Sequence, residues 1–180
     1  MKKLTLLLIT ILALSACAQQ SPTPLPNTTP QNTTPIIVEP EEVANYKIYL
    51  IALEDQGLNG KEIGCGDSVI GVESKKAQTL TTTEQKLTAA YNELLSLGKE
   101  DSESGFSNFL TGGTLKLDTL KIDAQGKASI KFSGKVPLAG VCDHPRIENQ
   151  LTETALQFTE INEVNIFINN QSLKDFLSLK

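Results

Sequence analysis

Leu120-Lys121-Ile122-Asp123-Ala124-Gln125-Gly126-Lys127-Ala128-Ser129-Ile130-Lys131-Phe132 decides the fold. Leu120 and Ile122 alternate with Lys121 and Asp123, and Ala128, Ile130 and Phe132 alternate on the returning arm. A period of two marks strands. Between the arms, Ala124-Gln125-Gly126 offers a tight turn whose glycine tolerates a positive φ. The segment therefore predicts a β-hairpin.

On the C-terminal side, a helix is expected to start near Asp143 to Pro145. An aspartate can accept the first amide protons there, and proline is tolerated in the first turn. Ile147, Leu151, Ala155 and Phe158 form its apolar stripe. Val164, Ile166 and Ile168 then alternate with Asn165, Phe167 and Asn169, which predicts a last strand. On the N-terminal side, Gly112-Gly113 precedes the hairpin, and Thr81 to Gln85 offers two overlapping capping boxes, Thr81 with Glu84 or Thr82 with Gln85. Leu87, Ala90, Tyr91, Leu94 and Leu95 follow at helical spacing, and Gly98 stops the helix. Tyr46 to Leu53 is apolar on both faces and predicts a central strand; Ser68 to Glu73 predicts a short strand or edge segment. The order is β(β)αββαβ, an α/β (α+β) domain over residues 45–180 with two helices on one face of a small mixed β-sheet.

The chain begins with Lys2-Lys3 and an apolar run from Leu4 to Leu14, then Leu14-Ser15-Ala16-Cys17. A basic start, a short apolar stretch and small residues before a cut site describe a signal peptide, and the run falls short of the roughly 20 residues that span a bilayer. The four residues resemble the lipobox of bacterial lipoproteins. The expectation is cleavage after residue 16, lipidation of Cys17, and a membrane-anchored chain facing the extracytoplasmic space of the cell envelope. Six of the eight prolines lie between Pro22 and Pro40, in a stretch of Gln, Ser, Thr and Asn. Residues 17–44 thus read as a disordered tether, with about 25 residues at roughly 3 Å each reaching several nanometres. Loss of Lys2 and Lys3 leaves 14 Lys+Arg against 21 Asp+Glu, a net charge of −7; an acidic domain repels phosphate backbones, no Lys/Arg stripe is visible to offset this, and nucleic acid is not expected as a partner.

With Cys17 acylated, Cys65 and Cys142 remain, and in an oxidising space they read as one disulfide. Two buried thiols, or a redox or metal site, are the alternatives. No CxxC pair is present. His144 is the lone histidine, so a His-rich zinc site is excluded; beside Asp143 it reads as a helix-start residue. Glu100 to Gly105 lacks the D-x-D-x-D-G spacing of a calcium loop. Gly112-Gly113 and the glycines flanking Cys65 are too short for a phosphate cradle. No cofactor site, metal site or catalytic set is expected. If two helices cover one sheet face, Tyr49 and Ile51, with Phe167 as a further member, remain on the other as a candidate partner surface; the alternative is that residues 54–80 or 98–113 cover them.

Four segments resemble the GerMN domain of sporulation and spore-germination lipoproteins. They are the helix Leu87 to Leu97, with Leu94-Leu95 before Gly98; Leu110-Thr111-Gly112-Gly113-Thr114-Leu115, with Thr111 where that family usually has proline; Ile122-Asp123 through Gly126 to Ile130-Lys131-Phe132-Ser133; and Thr152 to Asn170, with Phe158, Val164, Ile166 and Asn169-Asn170. The likeness spans about Tyr46 to Leu173. It implies a non-catalytic αβ module in envelope lipoproteins, related in shape to ring-building modules of secretion-like assemblies. The Gly64-Cys65-Gly66-Asp67 and Cys142-Asp143-His144-Pro145 segments depart from its pattern, so fold and envelope setting carry over but a germination role does not. The leading expectation is a lipid-anchored module that binds an envelope protein or a cell-wall polymer. The alternatives are a wall-directed hydrolase using Asp67 or His144, and a homo-oligomeric scaffold.

Overall fold

The computed structural model describes residues 45–178. The expected signal peptide, the expected lipidation site Cys17 and the expected tether lie outside the described residues. The domain's elements run β1 (Lys47–Ala52), β2 (Lys61–Glu62), β3 (Ser68–Glu73), α1 (Thr83–Ser96), β4 (Lys116–Ile122), β5 (Lys127–Ser133), α2 (Asp143–Leu156), β6 (Glu163–Ile168), β7 (Gln171–Ser172) and α3 (Leu173–Ser178).

The hairpin forms as its alternation predicts. β4 and β5 pair antiparallel, with a bulge between Leu117 and Thr119, and Gly126 takes φ +80° in the turn. Asp123 fixes that turn by accepting the amide protons of Gln125 and Lys127 at 2.9 Å each. From β5 the chain crosses over through α2 and returns as β6, parallel to β5. A parallel return needs such a long connection, and a helix is its usual form. The resulting sheet has the order β4-β5-β6-β7.

The strands expected in the same sheet form a second one, of order β1-β3-β2 and antiparallel throughout. β1 is thus an edge strand rather than the central strand its two apolar faces suggested. An unpaired edge leaves amide and carbonyl groups without partners. Here Gln150 of α2, the helix's C-cap Gln157 and the backbone of Ser107 fill them. The Gln157 amide donates to the Lys47 carbonyl at 2.9 Å and accepts from its N–H at 2.6 Å. Gln150 donates to the Tyr49 carbonyl at 2.9 Å, and Ile51 exchanges two backbone hydrogen bonds with Ser107 at 2.9 and 2.8 Å. β1 is apolar on both sides because it is enclosed, not because it is flanked by strands.

The main core lies between the helices and the inner face of the β4–β7 sheet. Leu87, Ala90, Tyr91 and Leu94 of α1 and Ile147, Leu151 and Ala155 of α2 meet Ala128, Ile130 and Phe132 of β5 and Ile166 and Ile168 of β6. Tyr91 packs edge-on to Phe132 with centroids 5.2 Å apart, and its buried hydroxyl donates to the Leu151 carbonyl at 2.7 Å. α1 starts with the second of the two predicted capping boxes, in which Thr82 and Gln85 satisfy each other's amides. α2 has Cys142 at its cap position with no side-chain cap. Asp143 instead accepts from the upstream amides of Ala139 and Gly140, at 2.7 and 3.3 Å, and so tightens the approach to the helix.

Candidate functional site

The Gly64–Gly66 turn and the start of α2, remote in sequence, meet at one corner. Cys65 and Cys142 are joined there, with Cα atoms 5.8 Å apart. A Cβ placed on Gly64 would sit 3.0 Å from Pro145, so only glycine allows this approach without a shift. Beneath the bridge, the Asp67 carboxylate, only 1 % exposed, accepts from Arg146 Nε at 2.6 Å and from the Glu54 amide at 3.0 Å. Arg146 also reaches Asp143 at 3.3 Å, and its guanidinium lies 4.5 Å from the centroid of the Phe109 ring. Asp67 is a filled ion-pair partner, closed to substrate. His144 stands half-buried in the first turn of α2, and its backbone N–H donates to Val141. No group of three or more metal-ligating side chains occurs among the described residues. The acidic Glu100–Gly105 stretch closes on itself, because Asp101 accepts both the N–H and the hydroxyl of Ser104. Those two bonds hold the Asp101 carboxyl below its ordinary range.

Two depressions lie beside this corner and along α1. A cleft of about 340 Å³ has walls of Phe109, Pro137 and Ala139, with Lys99 and Thr111 at its edge. The polar group at its floor, buried Asn108, is already saturated: it donates to Leu94 and accepts from the Leu110 amide and Gln150. A groove of about 830 Å³ follows α1 past Gln85, Thr88, Asn92 and Glu93. Of its two carboxylates, Glu93 accepts from the hydroxyls of Tyr46 and Ser74 at 2.7 Å each and Glu84 accepts from the Ile122 N–H at 2.8 Å, so both acids have partners within the fold.

The expected partner surface does not exist as one surface. Tyr49 and Ile51 belong to the β1-β3-β2 sheet and Phe167 to the other. Ile51 is fully buried, closed over by the Ser107 segment that pairs with it. Tyr49 is half-buried, with its ring over Gly71 and its carbonyl bound by Gln150. Of the three, Phe167 alone faces outward from the four-stranded sheet. Around it the registers place Lys131 directly opposite Phe167, Thr119 opposite Lys131, Lys121 opposite Ser129, Lys116 opposite Ser133 and Ser129 opposite Asn165. Lys116, Thr119, Lys121 and Lys131 are exposed. Helices cover the inner face; on this one Ser129, Ser133, Asn165 and Phe167 are half-buried between the exposed lysines. Two carboxylates share it. Glu163 pairs with Lys127 at 2.8 Å, which lowers the acid and raises the base, and Asp118 accepts from the Ser133 hydroxyl at 2.8 Å. In the sequence Lys121 and Lys131 stand on separate arms of the hairpin and make no basic stripe; pairing β4 with β5 brings them together. The usable signal was the outward half of each alternation once β4 and β5 are paired.

A family model described as "Germane: Sporulation and spore germination" matches residues 49–174. Among solved structures, the first GerMN domain of the sporulation protein GerM from Bacillus subtilis is 24% identical with a TM-score of 0.46, covering 71% of this chain and 86% of that one. The tandem GerMN domains of the same protein are 15% identical with a TM-score of 0.42, and the match covers 71% of this chain and 39% of that one. No curated protein matches.

Proposed function

Because the chain belongs to the Germane family of sporulation and spore germination, we propose that it is a lipid-anchored, non-catalytic envelope module that binds a wall or protein partner through the open face of its four-stranded sheet. The observation that carries this reading is the asymmetry of that sheet. α1 and α2 bury its inner face, while its outer face presents Phe167 among exposed lysines and hydroxyls. The leader and Leu14-Ser15-Ala16-Cys17 support the anchor, and the Cys65–Cys142 bridge suits an oxidising compartment. Against a wall hydrolase stands Asp67, whose carboxylate is spent on Arg146 and the Glu54 amide. An acid/base carboxyl must reach the proton it transfers.

Two measurements test the reading. In cells, the wild-type chain should incorporate labelled fatty acid and sediment with membranes, and Cys17→Ser should lose both; a Cys17→Ser chain that still carries fatty acid would remove the anchor. A photoreactive residue at Ser129, on the open face, should give a discrete adduct with wall material or one envelope protein. The same residue at exposed Glu148 of α2 should not. Equal adducts from both positions would remove the surface.

A further inference from the structure

Three lysines on the open sheet face have no carboxylate within 4.0 Å among the described residues: Lys116, Lys121 and Lys131. Lys47, Lys61, Lys75, Lys76, Lys127 and Arg146 each have one, whereas Lys86, Lys99, Lys135 and Lys174 are also unpaired but lie outside the strands of the sheet. The three are also grouped. Lys121 pairs with Ser129 and Lys116 with Ser133, so Lys131 stands diagonally across from both. Such diagonal neighbours lie about 7–8 Å apart on one face of a sheet. Thr119, Ser129, Ser133 and Asn165 fill the spaces between them with neutral hydrogen-bonding groups, and Phe167 stands beside Lys131. Counting Lys127 against Glu163 and allowing for Asp118, the face is positive on a mature chain of net charge −7. Neighbouring ammonium groups repel, and the two carboxylates of the face, Asp118 and Glu163, offset that charge only in part.

We infer that this face binds the phosphodiester backbone of an anionic cell-wall polymer. This rests on the envelope setting and open-face surface proposed above, and names the partner. The chemistry selects a polymer over a protein. The core of a protein interface is apolar and depleted of charge, whereas this face has one aromatic ring among lysines and hydroxyls. Lysine acts as a point charge on a flexible stem and sets no strict geometry, which fits a mobile chain of phosphates whose counterions are released on contact.

The test uses the full chain from residue 17 onward with Cys17→Ser, so that lipid insertion cannot mask binding. It is co-sedimented with wall sacculi bearing phosphodiester polymers, with the same sacculi stripped of them, and with anionic phospholipid vesicles. The polymer-bearing sacculi should be bound and the stripped ones should not. Lys116→Gln/Lys121→Gln/Lys131→Gln should lower affinity at least about tenfold and flatten the log–log salt dependence by about two, as expected for three lost phosphate contacts on a flexible polyanion. The same three sites changed to Arg should retain binding, which separates lost charge from lost folding. Lys86→Gln/Lys99→Gln/Lys174→Gln, with the same change in net charge, should bind as wild type. Equal loss in that control set, equal binding to stripped sacculi, or preference for vesicles would each overturn the inference. If the Ser129 adduct persists in such a case, the open-face reading stands and only the polymer assignment falls.

Discussion

Gln150 is fully buried, yet its amide holds three elements together. It accepts from the Phe109 N–H at 2.8 Å and donates to the Tyr49 carbonyl at 2.9 Å and to Asn108 at 3.2 Å. Gln150→Leu keeps the bulk but strands two backbone groups away from water. Each such group costs about 1–3 kcal/mol, so a loss of about 2–4 kcal/mol is expected from urea unfolding. An unchanged midpoint would mean that water reaches the β1 edge. Two glycines give a second, paired prediction. A Cβ on Gly113 would lie 2.0 Å from the Lys135 carbonyl oxygen, a backbone atom held by its bond from Thr114. A Cβ on Gly71 would meet the Lys47 and Tyr49 side chains, at 2.9 and 3.1 Å. Gly113→Ala should therefore cost about 3 kcal/mol, at the upper end for overpacking, and Gly71→Ala less than about 1. Thermal melts of the two variants decide it, and similar losses would count against the close backbone approach at Gly113. At this scale the sequence is least readable. Gln150 lies on the same helix as the Ile147–Leu151 stripe, and nothing in its spacing says that a strand edge lies within reach.

At the scale of elements, strands with a clear period and helices with caps were legible, and pairing was not. Alternation tells which residues share a face but not which strand lies alongside. Alternation alone therefore puts β1 and β3 in one sheet with β4, β5 and β6, whereas they form their own with β2. β2 and β7 have two residues each and α3 has six, too short to show a period. The stapled corner was half visible: the two cysteines could be paired by elimination, but the Asp67–Arg146 bond beneath them carries no sequence signature. That corner makes its own prediction. The bridge closes a loop across a separation of 77 residues, for which chain entropy gives roughly 4 kcal/mol. It also fixes a turn in which Cys65 takes φ +68°, a conformation non-glycine residues adopt at some cost. Cys65→Ser/Cys142→Ser should lower stability by about 2–4 kcal/mol. Hydrogen exchange should rise over residues 54–67, which lose their tie to α2, while the core strands β5 and β6 keep theirs relative to the new global limit. Uniform loss of protection would instead mean that the turn and the core open together.

For the molecule as a whole, the three tyrosines report on the enclosure of the core. The chain has no tryptophan and three tyrosines, and all three phenols are pushed upward. Burial is the largest cause in each. For Tyr46 the Glu93 carboxylate adds to it while the Ser74 hydrogen bond opposes it, and for Tyr49 Lys47 opposes it while Glu153 and Glu73 add to it. Tyr91, fully buried, has burial alone and is raised furthest. The folded chain thus keeps protons that the unfolded chain releases near pH 10. Stability is complete below that pH and falls as pH rises beyond it. For Tyr91 the slope is about 1.4 kcal/mol per pH unit while its phenol stays protonated in the fold. Part of the phenolate absorbance, that of Tyr91, should accordingly appear only in a cooperative step together with loss of the helical circular dichroism, after the half-buried Tyr49 has begun to ionise. Tyr91→Phe removes the hydrogen bond to Leu151, worth about 1 kcal/mol at neutral pH. It also removes the steepest alkaline term, so its deficit against wild type should shrink above pH 10. Smooth ionisation of all three phenols near pH 10 with the dichroism intact would show that water reaches Tyr91, and with it the space between α1, α2 and β5 on which the two-faced sheet depends.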